Sequence, residues 1–380
     1  MTVPPEGAIL DRRTLNRTLL ARQHLLQPTT AGPAAVIEHL VGMQAQVPRD
    51  PYIGLWSRLS RFDPESVETL LLERQAVRMT LMRTTLHLVT AGDARQLRPV
   101  MQAVCERGFG GSPFAKSLRG VDVGEVVRDG AALLAGRPLT VAELGRELVR
   151  RWPDRDPAAL AYAVRYLVPV VQVPPRGLFR MSGAPRLMTL DAWLASRAPT
   201  TATLPVGAES PADGLADAVI LRYLRAFGPA TVADISAWSW LTGVRQRLQH
   251  VLPSLRRYRD EAGRDLLDVA DGAIADGTQA APVRFLGEYD NVFLSHADRS
   301  RITGDLHWGT AYARVGSFFV DGFLAGAWRI RSDDPRRRLV VEPRRVLSTA
   351  ERRDVIDEAE RLRTFLSTVV PIREVSMADA

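Results

Sequence analysis

The 380-residue chain contains one cysteine and one lysine. Cys105 alone forms no internal disulfide and leaves a thiolate zinc site or an iron–sulfur cluster without ligands; it suits a reducing compartment. Because Lys116 is the only lysine, 49 of the 50 basic residues are arginine. Chemistry through a lysine Schiff base therefore has a single candidate residue. A Gly-Lys pair is missing, which excludes a P-loop, and so is the His-Glu-x-x-His zinc motif. No apolar run reaches the roughly 18 residues that suggest a membrane span, and the opening MTVPPEGAIL lacks the basic-then-apolar pattern of a signal peptide. These absences lead to the expectation of a cytoplasmic protein with no membrane partner.

What is present is enough apolar material, 46% hydrophobic residues against 24% charged, for two or three packed domains. The formal charge of +7 favours an anionic partner, and arginine donates a rigid fork to phosphate and guanine. A GC-rich genome also replaces lysine with arginine for no functional reason, and it accounts for most of this bias.

Gly108–Pro113 and Ala198–Gly214 have boundary composition. Between them, Thr140 and Glu143 have capping-box spacing, which predicts a helix from Leu139 to Val149. Asp156-Pro157 opens a second helix, Ala158–Val168, and Val170–Leu190 reads as a hairpin or wing. After the second boundary the order repeats: a helix at Ala218–Phe227, one capped by Thr231 through Leu241, one at Val244–Leu255, and a hairpin near Arg259–Val269. The first hundred residues suggest helices at Leu15–Leu26, Ala34–Met43 and Pro64–Glu73, with strands within Val77–Val89. Beyond residue 280 come short β-like runs, among them Ser317–Val320 and Phe323–Trp328 joined by Asp321-Gly322, then a helix at Thr349–Thr368. The expected fold is mainly α with β wings: three tandem winged helix-turn-helix units (10–110, 120–197 and 214–275) and a β-rich C-terminal region (281–370). In the third unit Arg245, Arg247, Gln249 and His250 lie on the candidate recognition helix. Phe319 and Phe323 flank a hairpin tip that suits a wedge into a groove or, as alternating aromatics in a hairpin more often do, the packing of a core.

Gln44-Ala45-Gln46 follows an apolar helix and precedes Pro48, where the chain is pushed out of helical geometry. Positions two apart diverge on a helix and share one side of an extended segment, so the spacing suits either two carboxamides that point into one site or, as such a triplet usually is, ordinary surface polar sequence. The blocks His39-Leu40-Val41-Gly42-Met43-Gln44-Ala45-Gln46, Pro48-Arg49-Asp50-Pro51-Tyr52, Gly54–Leu59, Arg83–Leu88, Phe285–Asn291 and Leu294–Arg301 resemble the AlkZ-like family of winged-helix DNA glycosylases.

The resemblance implies a concave DNA-binding face and excision of N7-alkylated purines, including bulky adducts and interstrand crosslinks, with a Gln-x-Gln or Gln-x-Asp triplet as catalytic motif. Here that motif falls on Gln44 and Gln46, the form similar to the branch that confers self-resistance beside biosynthesis of DNA-alkylating antibiotics. The implied partner is double-stranded DNA carrying N7-alkylpurine lesions, bound by a monomer in the nucleoid, with no cofactor and no metal. Arg49, Arg83, His87, His296, Arg299 and Arg301, in or beside these blocks, are the candidates for DNA contact, although His87 sits among apolar residues and equally suits a buried role. Asp50 offers either negative potential or a turn cap. The alternative is a winged-helix transcriptional regulator with no enzymatic activity.

Overall fold

The computed structural model describes residues 1–195, 212–306, 315–331 and 337–378. The boundary expected at Ala198–Gly214 lies, up to residue 211, outside the described residues.

Local signals set most helix starts. The capping box forms as expected at Thr140, whose hydroxyl accepts from the Glu143 amide (3.1 Å) while the Glu143 carboxylate accepts from the Thr140 amide (2.8 Å), and the helix runs Val141–Val149. Asp156 caps Pro157–Leu167, Thr231 with Asp234 caps Val232–Ser239, and Ser348 with Glu351 caps the helix Thr349–Ser367. The helix expected through Leu255 ends at Val251 and gives way to a 3-10 turn containing Pro253.

Between the first two boundaries the order is helix Val123–Gly136, strand Leu139–Thr140, two helices, then strands Val170–Val173 and Arg186–Thr189. These last two form the expected hairpin, paired antiparallel. Their sheet does not stop there. Strand Val170–Val173 also pairs with Ala76–Thr80 through Arg78↔Gln172 and Met79↔Val171. A six-stranded sheet results, in which Met43–Gln44 is an outer strand beside Leu86–Thr90, which in turn lies beside Ala76–Thr80.

A second sheet of five strands occupies the C-terminal region, antiparallel except that Glu374–Met377 runs parallel to Arg338–Pro343. Two apolar cores tie this region to the start of the chain. One gathers Leu19 and Leu20 with Tyr223, Phe227, Phe293 and Phe319. The other gathers Ile37 and Tyr52 with Phe285, Phe318 and Leu362. Residues Ile9 and Leu10 also pair in parallel with Arg259 and Asp260 of the strand Leu255–Asp260. The segments are therefore interleaved, and the motif blocks at 39–59, 83–88 and 285–301 meet in space.

Of the two readings of the Asp321-Gly322 hairpin, the structure shows core packing and not a wedge. The tip docks on the helix Arg12–Arg22: Arg17 donates to the Asp321 carbonyl (3.0 Å) and pairs with its carboxylate (2.5 Å), and Asn16 donates to the Gly322 carbonyl (2.8 Å). Phe319 is buried edge-on against Phe293, so it packs a core and cannot enter a groove.

Candidate active site

The helix expected to reach Met43 stops at His39, and this early stop creates the site. Val41 (φ 55°) and Gly42 (φ 92°) turn the chain in the left-handed region, after which Met43–Gln44 enters the sheet. Glycine is required at position 42: a Cβ there would meet Val89 Cγ1 at 2.6 Å and the Leu88 carbonyl at 3.3 Å. Gln44 pairs with His87, and the Ala45 amide donates to the Leu86 carbonyl (2.7 Å). The strand ends at Gln44 and the chain bends at Gln46; Ala45 is buried, while the Gln44 and Gln46 side chains both reach the start of the neighbouring strand, at Thr85 and Leu86.

The two glutamines sit in different surroundings. Gln44 is buried, and its Oε1 accepts from Arg83 Nη2 (2.9 Å) and Thr85 Oγ1 (3.2 Å). A guanidinium only donates, so the amide atom facing it is oxygen and the NH2 points the opposite way. Gln46 is exposed, and its Oε1 receives one long bond from the Leu86 amide at 3.4 Å. One carboxamide is thus locked with its donors outward, and the other keeps a nearly free carbonyl oxygen.

Arg83 organises this arrangement from an unusual backbone. Arg83 (φ 55°) and Thr84 (φ 56°) are consecutive left-handed non-glycine residues, a conformation that costs about 1–3 kcal/mol each and concentrates at functional sites. The Arg83 Nη1 donates to the Trp238 carbonyl (2.5 Å), which brings the C-terminal end of the helix Val232–Ser239 to the site. Burial, aided by the nearby charge of Arg299, lowers the Arg83 pKa to about 10, so it remains charged at neutral pH. His87 Nδ1 donates to the Thr85 carbonyl (2.9 Å), which leaves Nε2 as the acceptor facing Arg83 at 3.5 Å. Burial and Arg83 push the His87 pKa down to about 3; it is a neutral support beneath Gln44.

The C-terminal block supplies the other side. Asn291 accepts from the Gln44 amide (3.2 Å) and donates to the Gly42 carbonyl (2.6 Å). Neighbouring Asp290 makes a bidentate pair with Arg58 at 2.7 and 2.8 Å. Asp50 opens the helix Asp50–Arg58 and accepts from the Tyr289 amide (3.1 Å). Burial, with the charges of Glu288 and Asp290 adding to it, raises the Asp50 pKa to about 7. Its carboxyl borders a cavity of about 230 Å³ lined also by Val47, Arg49, Glu288, Trp328 and Arg329.

The remaining candidates from the sequence divide by exposure. Arg49 is half-buried, with Nε on the Phe179 carbonyl (3.3 Å), and Arg299 is half-buried, with Nε on the Phe293 carbonyl (2.7 Å). His296 and Arg301 are buried beside Asp234: Ser295 Oγ meets His296 Nδ1 at 2.8 Å, and Arg301 donates to the Pro229 carbonyl (2.9 Å). Burial lowers the His296 pKa to about 3. Asp298 caps the turn at Ser300 (2.9 Å) and pairs with Arg264 (2.8 Å). No group of three metal-ligating side chains occurs among the described residues, and no helix among them is long and apolar enough to cross a membrane. Sequence reasoning assigned no role to Thr85, Asn291 or Arg78; the first two lie inside the motif blocks, which is the one signal that marked them.

Known proteins similar to this chain include DNA glycosylases. An interstrand DNA cross-link repair glycosylase from Streptomyces sahachiroi is 25% identical over 358 residues, covering 85% of this chain and 88% of that protein. The structure of the Streptomyces sahachiroi DNA glycosylase AlkZ superposes with a TM-score of 0.71 at 21% identity, covering 97% of this chain and 100% of that one. Residues 37–365, which include every block converging on the triplet, match the sequence model of the DNA glycosylase AlkZ-like family, and the chain belongs to that family.

Proposed function

We propose that this protein is a monofunctional DNA glycosylase that hydrolyses the N-glycosidic bond of bulky N7-alkylated purines, in monoadducts and in interstrand crosslinks, and gives self-resistance to a DNA-alkylating antibiotic. The observation that carries the reading is the pair of carboxamides meeting neighbouring residues Thr85 and Leu86, Gln44 fixed by a donor-only partner and Gln46 exposed. The helix and hairpin order at 123–189 and 212–269, together with the strands and helices of the first hundred residues, supports three winged-helix units forming a concave face for duplex DNA. Arg49 and Arg299, which retain exposure, are its phosphate contacts beside the site, and the arginine-bearing helix Val244–Val251 extends it. Half-buried Arg83 spends its donors on Gln44 and the Trp238 carbonyl, and His87, His296 and Arg301 are buried; these four do not touch DNA. The protein acts as a monomer on the nucleoid.

An amide cannot serve as a general base near neutral pH, and this substrate does not need one. Alkylation at N7 makes the purine cationic, so the base departs as a neutral molecule when the C1′–N9 electrons collapse onto it. The remaining barrier concerns position and charge. The Gln46 carbonyl oxygen accepts a hydrogen bond from the attacking water and faces the developing oxocarbenium ion. The outward Gln44 NH2 donates to an oxygen of the sugar-phosphate and holds the nucleotide in register. Water adds to C1′, its proton passes to solvent, and an abasic site remains. The lone lysine, Lys116, is exposed on the short helix Pro113–Ser117 and lies outside every motif block, which supports hydrolysis without a Schiff base. A bulky adduct favours attack from an open groove over full extrusion into a tight pocket.

The test is a duplex carrying one nitrogen-mustard N7-guanine adduct, incubated with excess protein and then heated in alkali. Strand scission at the adduct, with free alkylguanine released beforehand and no scission without alkali, is the expected result. A duplex left intact, or a protein that footprints a defined undamaged sequence instead, overturns the reading in favour of a regulator.

A further inference from the structure

Gln46 directs its side chain through its own backbone, and the peptide plane joining it to Ala45 has one anchor. The Ala45 carbonyl accepts from Arg78 Nη2 at 2.8 Å. Arg78 lies on the strand Ala76–Thr80 opposite Leu88, which itself lies opposite Met43, so its side chain crosses the sheet on the face away from the glutamines. Each successive peptide plane of the triplet is pinned by a different group: Met43–Gln44 by Asn291, Gln44–Ala45 by the Leu86 carbonyl, and Ala45–Gln46 by Arg78.

Arg78 is placed at a physical cost that packing does not explain. It is 2% exposed, and neither its Nε nor its Nη1 has a partner. No carboxylate pairs with it among the described residues; the charged group beside it is Arg176. The chain makes room for it with Gly177, where a Cβ would fall 2.5 Å from Arg78 Cδ. A hydrophobic residue of the same length would fill this space without burying a lone charge. We infer that Arg78 is a positioning residue for the glycosylase reaction: it fixes the Ala45–Gln46 peptide so that the Gln46 carboxamide holds its water at C1′. This inference rests on the role given to Gln46 above.

The full-length Arg78→Met and Arg78→Lys variants test it. Single-turnover excision of the nitrogen-mustard adduct is expected to fall roughly 10- to 30-fold in Arg78→Met, below the roughly 100-fold cost of a 1 Å misplacement. Lesion-DNA affinity and thermal midpoint stay unchanged, and Arg78→Lys, which keeps a donor, recovers part of the rate. In a Gln46→Ala background the Arg78→Met loss should vanish, because the residue it positions is gone. Excision by wild type with undiminished Arg78→Met activity, or a loss fully additive to Gln46→Ala, overturns the inference and leaves the glycosylase reading standing. A second readout needs no activity: in protein labelled with ¹⁵N-glutamine, the Gln46 backbone amide shares the peptide Arg78 holds. Its resonance should move in Arg78→Met and return toward the wild-type position in Arg78→Lys; an unmoved resonance overturns the inference whether or not any lesion is excised.

Discussion

Asp290→Ala is expected to lower folding stability by about 3–5 kcal/mol, because it strands a buried guanidinium. The side chains of Arg58 and Asp290 are 0% and 2% exposed, and Asp290 supplies both of the charged bonds that Arg58 makes. The other acceptors of Arg58 are neutral: the Gly54 carbonyl at 2.9 Å and the Gln23 side chain at 3.3 Å. These cannot compensate the charge in a low-dielectric interior. Asp290→Ala combined with Arg58→Met removes the charge as well and should recover most of the loss, since a buried pair exchanged for apolar side chains is often near neutral. Urea unfolding followed by far-UV dichroism measures both variants. An Asp290→Ala midpoint equal to that of wild type contradicts the assignment. The loss should reach the site too, because Asn291, next in the chain, holds the Gly42 carbonyl and the Gln44 amide.

The second large effect concerns rate. Removing one preorganised group from a site of this kind typically slows the chemical step by about 10²–10³. Gln46→Ala should show a loss of that size in single-turnover excision with lesion-DNA binding retained. Gln44→Ala should reduce the rate and also weaken binding of the damaged duplex, because its outward NH2 holds the nucleotide. Arg83→Met should reproduce Gln44→Ala, since the guanidinium fixes which way that amide faces. The Gln44→Ala, Arg83→Met double variant should be little worse than either single one, as groups acting as a unit are not additive. Additive losses would mean that Arg83 works on DNA directly.

What was legible in the sequence and what was not follow from the range of the interactions. Capping boxes at Thr140, Thr231 and Ser348 act within four residues, so those helix starts could be read from the chain. The chain's departure from its helix before Pro48 was legible for the same reason, although the strand ends at Gln44 and the chain bends at Gln46. The pairing of Arg78 with Gln172 joins residues far apart in sequence and leaves no local trace, so the shared six-stranded sheet could not be anticipated. Charge misled in one respect. Arginine and histidine in a motif block suggest contact with an anion, yet His87, His296 and Arg301 are buried, where carbonyls and other side chains take their hydrogen bonds. The orientation of the Gln44 amide depends on the left-handed turn at Arg83 and Thr84, a tertiary feature that no propensity encodes.

Asp50 supplies the sharpest alternative to a reaction run by neutral amides, because its carboxyl, near the triplet in sequence and raised to about 7, has the pKa of a general base. The deciding measurement is the pH dependence of single-turnover excision between about pH 6 and 8.5, in wild type and Asp50→Asn. Neither carboxamide titrates, His87 stays neutral with its pKa near 3, and Arg83 stays charged with its pKa near 10. The account therefore predicts a flat profile in both proteins. A wild-type rate that climbs roughly tenfold per unit below a midpoint near 7, with that limb lost in Asp50→Asn, would contradict it.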